Sequence, residues 1–130
     1  MGKQVEGILD TNVILRYLVG DIPEQQKKAK SIFKAAEKGI IDLRVKVLVI
    51  AEACFVLESF YNKSREEIAD SFQVFLSQKW LYVDDRKSLL SLWEQYEKGF
   101  HFVDSYIISW AQQNDGEIIT FDKKLAKLSR

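Results

Sequence analysis

The stretch GILDTNVILRYL, residues 7–18, contains the joint on which the fold assignment depends. An apolar run stops at Asp10, and apolar residues then recur at helical spacing. This pattern predicts a short buried strand over residues 5–9, followed at once by a helix over residues 11–19 that Gly20 ends. A carboxylate between a strand and a helix either caps the helix or belongs to a site, and the local sequence leaves both interpretations open.

The rest of the chain repeats this alternation of strands and helices. Three more short apolar runs predict strands, over residues 40–45, 80–83 and 117–121. Helical patterns fill the intervals, over residues 21–38, 47–61, 64–78, 86–98, 103–114 and 123–128. Two of these helices begin with the spacing of a capping box, at Asp21 with Glu24 and at Ser64 with Glu67.

Alternating strands and helices predict an α/β fold, which we expect to form a single domain over residues 1–130. The strands are short and mostly unbroken by charge, as is typical of a parallel sheet buried on both faces. We therefore expect a short parallel β-sheet of four or five strands, covered by helices on both faces. In such folds, ligands bind beyond the carboxyl ends of the strands.

Composition and charge narrow the class of protein. Lys plus Arg number 19 and Asp plus Glu number 19, so the formal net charge is zero and no global basic field draws the chain onto nucleic acid. Any contact with nucleic acid must then be local. The single cysteine, Cys54, cannot form an internal disulfide. With no signal peptide and no apolar run long enough to span a bilayer, we expect a soluble, cytoplasmic protein without membrane contact.

Two acids stand at the ends of predicted strands. Asp10 follows the first strand and Asp122 follows the fourth. Because ligand sites of parallel sheets form at the carboxyl ends of the strands, both acids should lie on the same edge. Each also precedes a predicted helix, so helix capping alone could account for either of them.

Two further acids lie in apolar helical segments. The helix over residues 47–61 is apolar nearly all round, which predicts a buried helix, and no basic residue lies one turn from Glu52. A buried carboxylate must protonate, bind a metal or pair with a cation from another element, and that last alternative stays open. Asp104 stands in the first turn of a predicted helix, where the helix dipole alone favours a negative charge.

Together these acids suggest a common site. Asp10, Glu52, Asp104 and Asp122 could converge in one crevice, and like charges that close require a counter-charge. Oxygen ligands without a usable histidine or thiol suit a hard cation, Mg²⁺ or Mn²⁺. Such an ion lowers the pKa of a bound water into the range of a nucleophile, and the common chemistry is phosphodiester hydrolysis.

Four segments in series resemble the PIN-domain family, and most closely its VapC-type toxins. They are LDTNVILRYLVGDIPEQ, VIAEACFVLESFYNKSREEI, FVDSYIISWA and IITFDKKLAKL. The resemblance implies a PIN-like fold and a metal-dependent endoribonuclease that uses Mg²⁺ or Mn²⁺. It places the metal-binding and catalytic acids at Asp10, Glu52, Asp104 and Asp122.

The resemblance also implies supporting residues and partners. Thr11, Asn12 and Thr120 match motif positions and would orient the acids by hydrogen bonds, although helix capping or strand packing explains them as well. The substrate would be RNA, of the tRNA or rRNA class. The toxin would form a homodimer and would be silenced by a small antitoxin whose tail enters the acidic groove.

Basic residues near two of the motifs are candidates for substrate binding. Lys123 and Lys124 follow Asp122, and Arg16 lies on the first helix, where all three could hold phosphates of RNA. The alternative is a solvated helix face.

Rival functions use similar patterns. A phosphoacceptor signalling domain also places Asp at strand ends, but it needs paired acids after the first strand, where this chain has Thr11 and Asn12. A haloacid-dehalogenase-like phosphatase needs a second Asp at position 12. Neither explains Glu52. A housekeeping ribonuclease and a non-catalytic RNA-binding domain of the same fold remain as further alternatives.

Overall fold

The computed structural model describes residues 5–128. In this part of the chain the strands are β1 (Val5–Ile8), β2 (Ile41–Val45) and β3 (Leu81–Val83). The helices are α1 (Thr11–Val19), α2 (Pro23–Glu37), α3 (Val47–Ser59), α4 (Arg65–Leu76), α5 (Arg86–Ser91), α6 (Trp93–Glu97), α7 (Phe102–Gln113) and α8 (Lys123–Ala126). None of these helices combines the length and the apolar character that a membrane span requires.

The described residues fall into two compact units. The first comprises those up to Lys63 together with Ser77–Asp84. The second comprises Ser64–Leu76 and those from Asp85 onward. The first unit therefore carries the sheet with α1, α2 and α3, and the second carries the remaining helices.

The sheet of the first unit is parallel, in the order β1-β2-β3. Its register places Ile8 opposite Arg44, and Val45 opposite Val83. The helices α1 and α2 supply the crossover that two parallel neighbours require. Three of the four predicted strands are confirmed to within one residue.

The core of the first unit forms where its helices meet the sheet. Helix α1 packs against α2 and α3, and α2 packs against β2. Ile14 and Val45 are fully buried there, and the rings of Tyr17 and Phe33 meet nearly at right angles, 4.7 Å apart between centroids. Burial of these apolar groups stabilises the packing of α1 after β1.

A polar ladder crosses the solvent side of the same sheet. Arg44 donates to Glu6 at 2.6 Å and lies over the ring of Tyr82, with 5.0 Å from its guanidinium carbon to the ring centroid. The hydrogen bond to Glu6, with the attraction of that carboxylate, raises the pKa of Arg44 above its usual value. Cross-strand pairs of this kind stabilise the chosen register.

The second unit is helical. The rings of Phe72 and Trp93 stack at 5.3 Å between centroids, and the guanidinium of Arg65 lies 4.4 Å from the centroid of Tyr96. Arg65 also donates to the carbonyl oxygens of Tyr96 and Phe100, at 2.7 and 2.6 Å. These bonds tie the start of α4 to the C-terminal end of α6 and to the segment that follows it.

The capping box at the start of α4 is confirmed. The backbone N–H of Glu67 donates to the hydroxyl oxygen of Ser64 at 3.1 Å, and the N–H of Ser64 donates to the Glu67 carboxylate at 3.3 Å. The capping box expected at Asp21 and Glu24 is wrong. The N-cap of α2 is Ile22, which makes no side-chain capping bond, because Pro23 begins the helix. The carboxylate of Asp21 instead accepts a hydrogen bond from the hydroxyl of Tyr61.

The predicted fourth strand over residues 117–121 is wrong. These residues pair with no strand within residues 5–128, although their side chains alternate as expected. Ile118 packs against Ile108, Ala111 and Leu125, whereas Ile119 is 88% exposed. Alternation gives a segment two faces, but a strand also needs a neighbour that accepts its hydrogen bonds, and periodicity does not encode that neighbour. The helix predicted over residues 86–98 is divided into α5 and α6.

Candidate functional site

Asp10 caps the first helix after the sheet. Its backbone is extended, with φ −86° and ψ 150°, and one carboxylate oxygen accepts the N–H of Asn12 at 3.3 Å. The capping interpretation is thus confirmed for Asp10. Its side chain is exposed, whereas the following Thr11 is buried. In the described part of the chain, the second carboxylate oxygen of Asp10 accepts no hydrogen bond, so it is available to a ligand.

Asp122 caps α8 in the same manner. Its Oδ1 atom accepts the N–H groups of Lys124 and Leu125, at 2.9 and 3.0 Å. The hydroxyl oxygen of Thr120 accepts the backbone N–H of Asp122 at 3.1 Å. Thr120 therefore holds the turn that presents this carboxylate, and the other oxygen, Oδ2, accepts no bond from the residues described.

The expectation that Glu52 is a buried carboxylate is wrong. Glu52 is exposed, and its neighbours along the same stripe of α3, Leu48 and Phe55, are 81% and 69% exposed. The opposite face buries Ile50, Ala53, Cys54 and Leu57. Because α3 is apolar nearly all round, its sequence did not indicate which face would be covered. Desolvation therefore gives no reason for Glu52 to bind a cation, and only its charge and accessibility do.

Asp104 is half-buried on α7 and lines a cleft of about 400 Å³ within the second unit. Helix α7 and residues 117–120 form its walls. Asp104 stands in the first turn of α7, as expected, where the helix dipole favours its charge. Its position in a cleft gives this acid neighbours on two sides that a fully solvated helix terminus lacks.

The four acids divide equally between the units: Asp10 and Glu52 belong to the first, Asp104 and Asp122 to the second. Within residues 5–128, no lysine or arginine forms a salt bridge with any of them. Their oxygens are the ligand type that Mg²⁺ and Mn²⁺ prefer. The described residues present no group of three or more His, Cys, Asp or Glu that could hold a metal ion. Donor chemistry thus fits a hard cation, without a preformed ligand group.

The structure reveals a charged pair that the sequence reading missed. Lys46 follows β2 and Asp84 follows β3, and their side chains form a salt bridge of 2.9 Å. Extending the register of the sheet places Asp10, Lys46 and Asp84 at successive strand ends. The signal was available, because Asp84 follows the apolar run WLYV as Asp10 follows VEGIL. Lys46 brings a positive charge to the carboxyl edge of the sheet.

Arg16, expected to bind substrate, is engaged within the first unit. Its guanidinium donates to Gln25 at 2.7 Å, to Tyr61 at 3.0 Å and to Asp21 at 3.3 Å. Tyr61 in turn donates to Asp21 at 2.8 Å. This network ties α1 to the segment after α3, so Arg16 has a structural role whether or not it also meets RNA.

Lys123 and Lys124 lie exposed on α8, directly after Asp122. Among the described residues neither forms a salt bridge, which leaves both ammonium groups to solvent or to an anionic ligand. The geometry agrees equally with a solvated helix face and with phosphate contacts.

Comparison with protein-family models identifies the family of this chain. The sequence matches the family model of the PIN domain over residues 7–130. The chain belongs to the PIN-domain family. PIN domains are generally metal-dependent nucleases that typically use divalent metals. Searches of curated proteins and of solved structures returned no significant match.

Membership of the PIN family affects how the four acids are interpreted. The matched span contains Asp10, Glu52, Asp104 and Asp122. Capping explains why a carboxylate is favourable at two of these positions, but it uses only one oxygen of each. In a PIN domain the same residues can therefore combine a structural bond with a ligand role, and the two interpretations that the sequence left open do not exclude each other.

Proposed function

We propose that this PIN domain is a Mg²⁺- or Mn²⁺-dependent endoribonuclease, and that it is the toxin of a type II toxin–antitoxin pair. The observation that carries the proposal is the family match over residues 7–130, because this span includes all four acids. The family assignment favours a nuclease over a phosphoacceptor signalling domain. The VapC-like motifs quoted above support the toxin role over a housekeeping ribonuclease.

In this proposal Asp10, Glu52, Asp104 and Asp122 hold the divalent ion. When bound, the ion supplies positive charge to the phosphodiester and acidity to a water molecule. Asp10 and Asp122 contribute the oxygen that their helix caps leave open. Because the capping bonds fix each carboxylate on a helix start, these two ligands are oriented before any ion arrives.

Thr11, Asn12 and Thr120 position these acids in the proposal. The backbone N–H of Asn12 holds the carboxylate of Asp10, and the hydroxyl of Thr120 holds the backbone of Asp122. Thr11 is buried beside Asp10 and anchors the joint by packing. None of the three needs to touch RNA for this role.

RNA of the tRNA or rRNA class is the proposed substrate. Lys123 and Lys124 are the best-placed phosphate contacts, and Arg16 contributes only if its internal network opens. With zero net charge, affinity depends on a few local contacts, so we expect a shallow dependence of binding on salt concentration.

The proposed partners are a second copy of the chain and a small antitoxin. A homodimer and an antitoxin segment entering the acidic site follow from the toxin interpretation. Expression of the wild type should arrest growth, and Asp10→Asn should not. Rescue by a small DNA-binding protein encoded beside this gene supports the toxin role. Toxicity that persists in Asp10→Asn contradicts it.

Cleavage of structured RNA by the purified chain tests the nuclease itself. We expect cleavage with Mg²⁺ or Mn²⁺, and none with chelator. Glu52→Gln should abolish cleavage, whereas Glu58→Gln on the same helix serves as the matched control and should remain active. Metal-independent cleavage, or no cleavage across a broad panel of structured RNAs, contradicts the proposal.

A further inference from the structure

We propose that the cleft of the second unit seats one unstacked nucleobase of single-stranded RNA, with Trp110 as its stacking surface. This inference rests on the proposed ribonuclease function and deepens it by naming the form of RNA that is recognised. The evidence is the shape, lining and charge of the cleft, all within the second unit.

The cleft has an apolar floor and a polar rim. Its volume is about 400 Å³, within the range of small-molecule sites in proteins. The floor is formed by Ile107, Ala111, Ile118 and Leu125, three of which belong to one buried cluster. The polar residues of the lining include Asp104, Glu117 and Thr120. Such a site suits a flat ligand with apolar faces and a polar edge.

Trp110 presents the aromatic surface. It is 41% exposed although it lies on α7, whose other face is buried. A Cβ atom at Gly116 would lie 2.7 Å from Cζ3 of the Trp110 ring, so the ring lies against a backbone position that only glycine leaves open. The Gly116 N–H donates to the carbonyl of Ala111 at 2.7 Å and fixes that turn. The ring is therefore positioned before a ligand binds.

Tyr106 lies one helical turn before Trp110 and lines the same cleft. Its hydroxyl donates to the carboxylate of Asp85, which restricts the orientation of the ring. The two aromatic residues therefore line the cleft from one stripe of α7. Bases of single-stranded RNA stack on such surfaces without requiring a particular sequence.

The charge of the lining selects among flat ligands. Of the described residues that line the cleft, none is lysine or arginine, so the cleft does not suit a phosphate. Glu117, which the proposed metal site does not use, instead offers carboxylate oxygens, which accept bonds from the N–H groups on the edge of a nucleobase. A paired base in a duplex cannot present its face, so the ligand must come from a loop or a single strand.

Binding to a labelled oligoadenylate, measured by fluorescence anisotropy in chelator and low salt, tests the proposal without cleavage. The comparison ligand is an abasic oligoribonucleotide of the same length. The wild type should bind oligoadenylate about tenfold or more tightly than the abasic strand. Trp110→Ala should lose that preference, and Trp110→Phe should keep most of it because a ring remains. Tyr82→Ala, which removes an aromatic residue of similar exposure from the first unit, is the matched control.

Gly116→Ala provides a second test that leaves every aromatic residue in the chain. The added methyl group must displace the Trp110 ring, so this variant should also lose the preference for a base. It keeps the proposal testable if Trp110→Ala does not fold. Equal affinity of the wild type for the two strands overturns the base site, as does an unchanged preference in both Trp110→Ala and Gly116→Ala.

Different results would contradict the proposed base site and the proposed nuclease activity. If the wild type cleaves RNA with Mg²⁺ but Trp110 makes no difference to binding, the base site is wrong and the nuclease stands. If binding depends on Trp110 but no RNA is cleaved, the base site stands and the chain is an RNA-binding PIN domain.

Discussion

The joint at Asp10 and the joint at Asp122 are built from the same local pattern, yet only the first belongs to a sheet. In each, an apolar run meets an aspartate that caps the following helix through a carboxylate oxygen. Before Asp10 the run is β1, paired along its length with β2, and after it α1 has 9 residues. Before Asp122 the run pairs with none of the described strands, and α8 has 4 residues.

This difference separates what a local pattern can decide from what it cannot. A cap depends on a side chain and on N–H groups two or three residues away, so both caps form. A strand depends on a partner from a distant part of the sequence, and only β1 has one in the sheet. The two joints therefore share chemistry but differ in packing, and this contrast can be tested in order of effect.

The largest effect on stability should come from truncating a buried side chain of the helix that follows each joint. Ile14 on α1 is fully buried, and Leu125 on α8 retains 7% exposure. Ile14→Ala should lower the free energy of unfolding by about 2–5 kcal/mol, and Leu125→Ala by a value near the lower end of that range. Urea denaturation followed by circular dichroism measures both. Equal losses would show that the second joint is as well packed as the first.

Removing the charge while keeping the cap should affect activity only. Asparagine caps helices about as well as aspartate, so Asp10→Asn and Asp122→Asn should melt like the wild type. Each should slow RNA cleavage by about 10²–10³-fold, because the lost charge is one that the proposed metal site needs. Initial rates on one RNA substrate measure the loss. Full activity in either variant removes that residue from the proposed site.

Removing the capping side chain should then lower global stability by different amounts at the two joints. Asp10→Ala should lower global stability by about 1 kcal/mol, because α1 is part of the first core. Asp122→Ala should cost less globally, since α8 is short and can fray alone. Amide hydrogen exchange at Asn12, Lys124 and Leu125, the donors to the two caps, reports each effect locally. Equal global losses would contradict the difference in packing.

The smallest expected effect is a difference in stability between substitutions at an exposed position of β1 and of residues 117–121. Ile8 in β1 is 67% exposed and Ile119 is 88% exposed, so both side chains lie mostly in solvent. Ile8→Ser should cost up to about 1 kcal/mol through the loss of strand propensity. Ile119→Ser should stay within about 0.5 kcal/mol, as for an ordinary surface position. A larger loss of stability in Ile119→Ser than in Ile8→Ser would be evidence that residues 117–121 form a strand after all.

The sequence predicted the parallel α/β arrangement and three strands to within one residue, and it offered helix capping as one of two interpretations of Asp10 and Asp122. These features depend on residues close in sequence, on periodicity and on side chains that reach their own backbone. It failed for residues 117–121 and for the burial of Glu52, where the outcome depends on which distant element covers a face. It also passed over Lys46 and Asp84, a pair 38 residues apart that only the sheet register brings together.

Local chemistry alone was enough to indicate the helix starts at Asp10, Asp104 and Asp122 and the resemblance of the chain to PIN domains. Caps, helix starts and family motifs are short-range properties, and they are written in neighbouring residues. Tertiary packing decided which face of α3 meets solvent, which apolar run joins the sheet, and that the ammonium group of Lys46 lies at the carboxyl edge of the sheet. Those outcomes depend on contacts between segments far apart in the chain, whose energies no single segment contains.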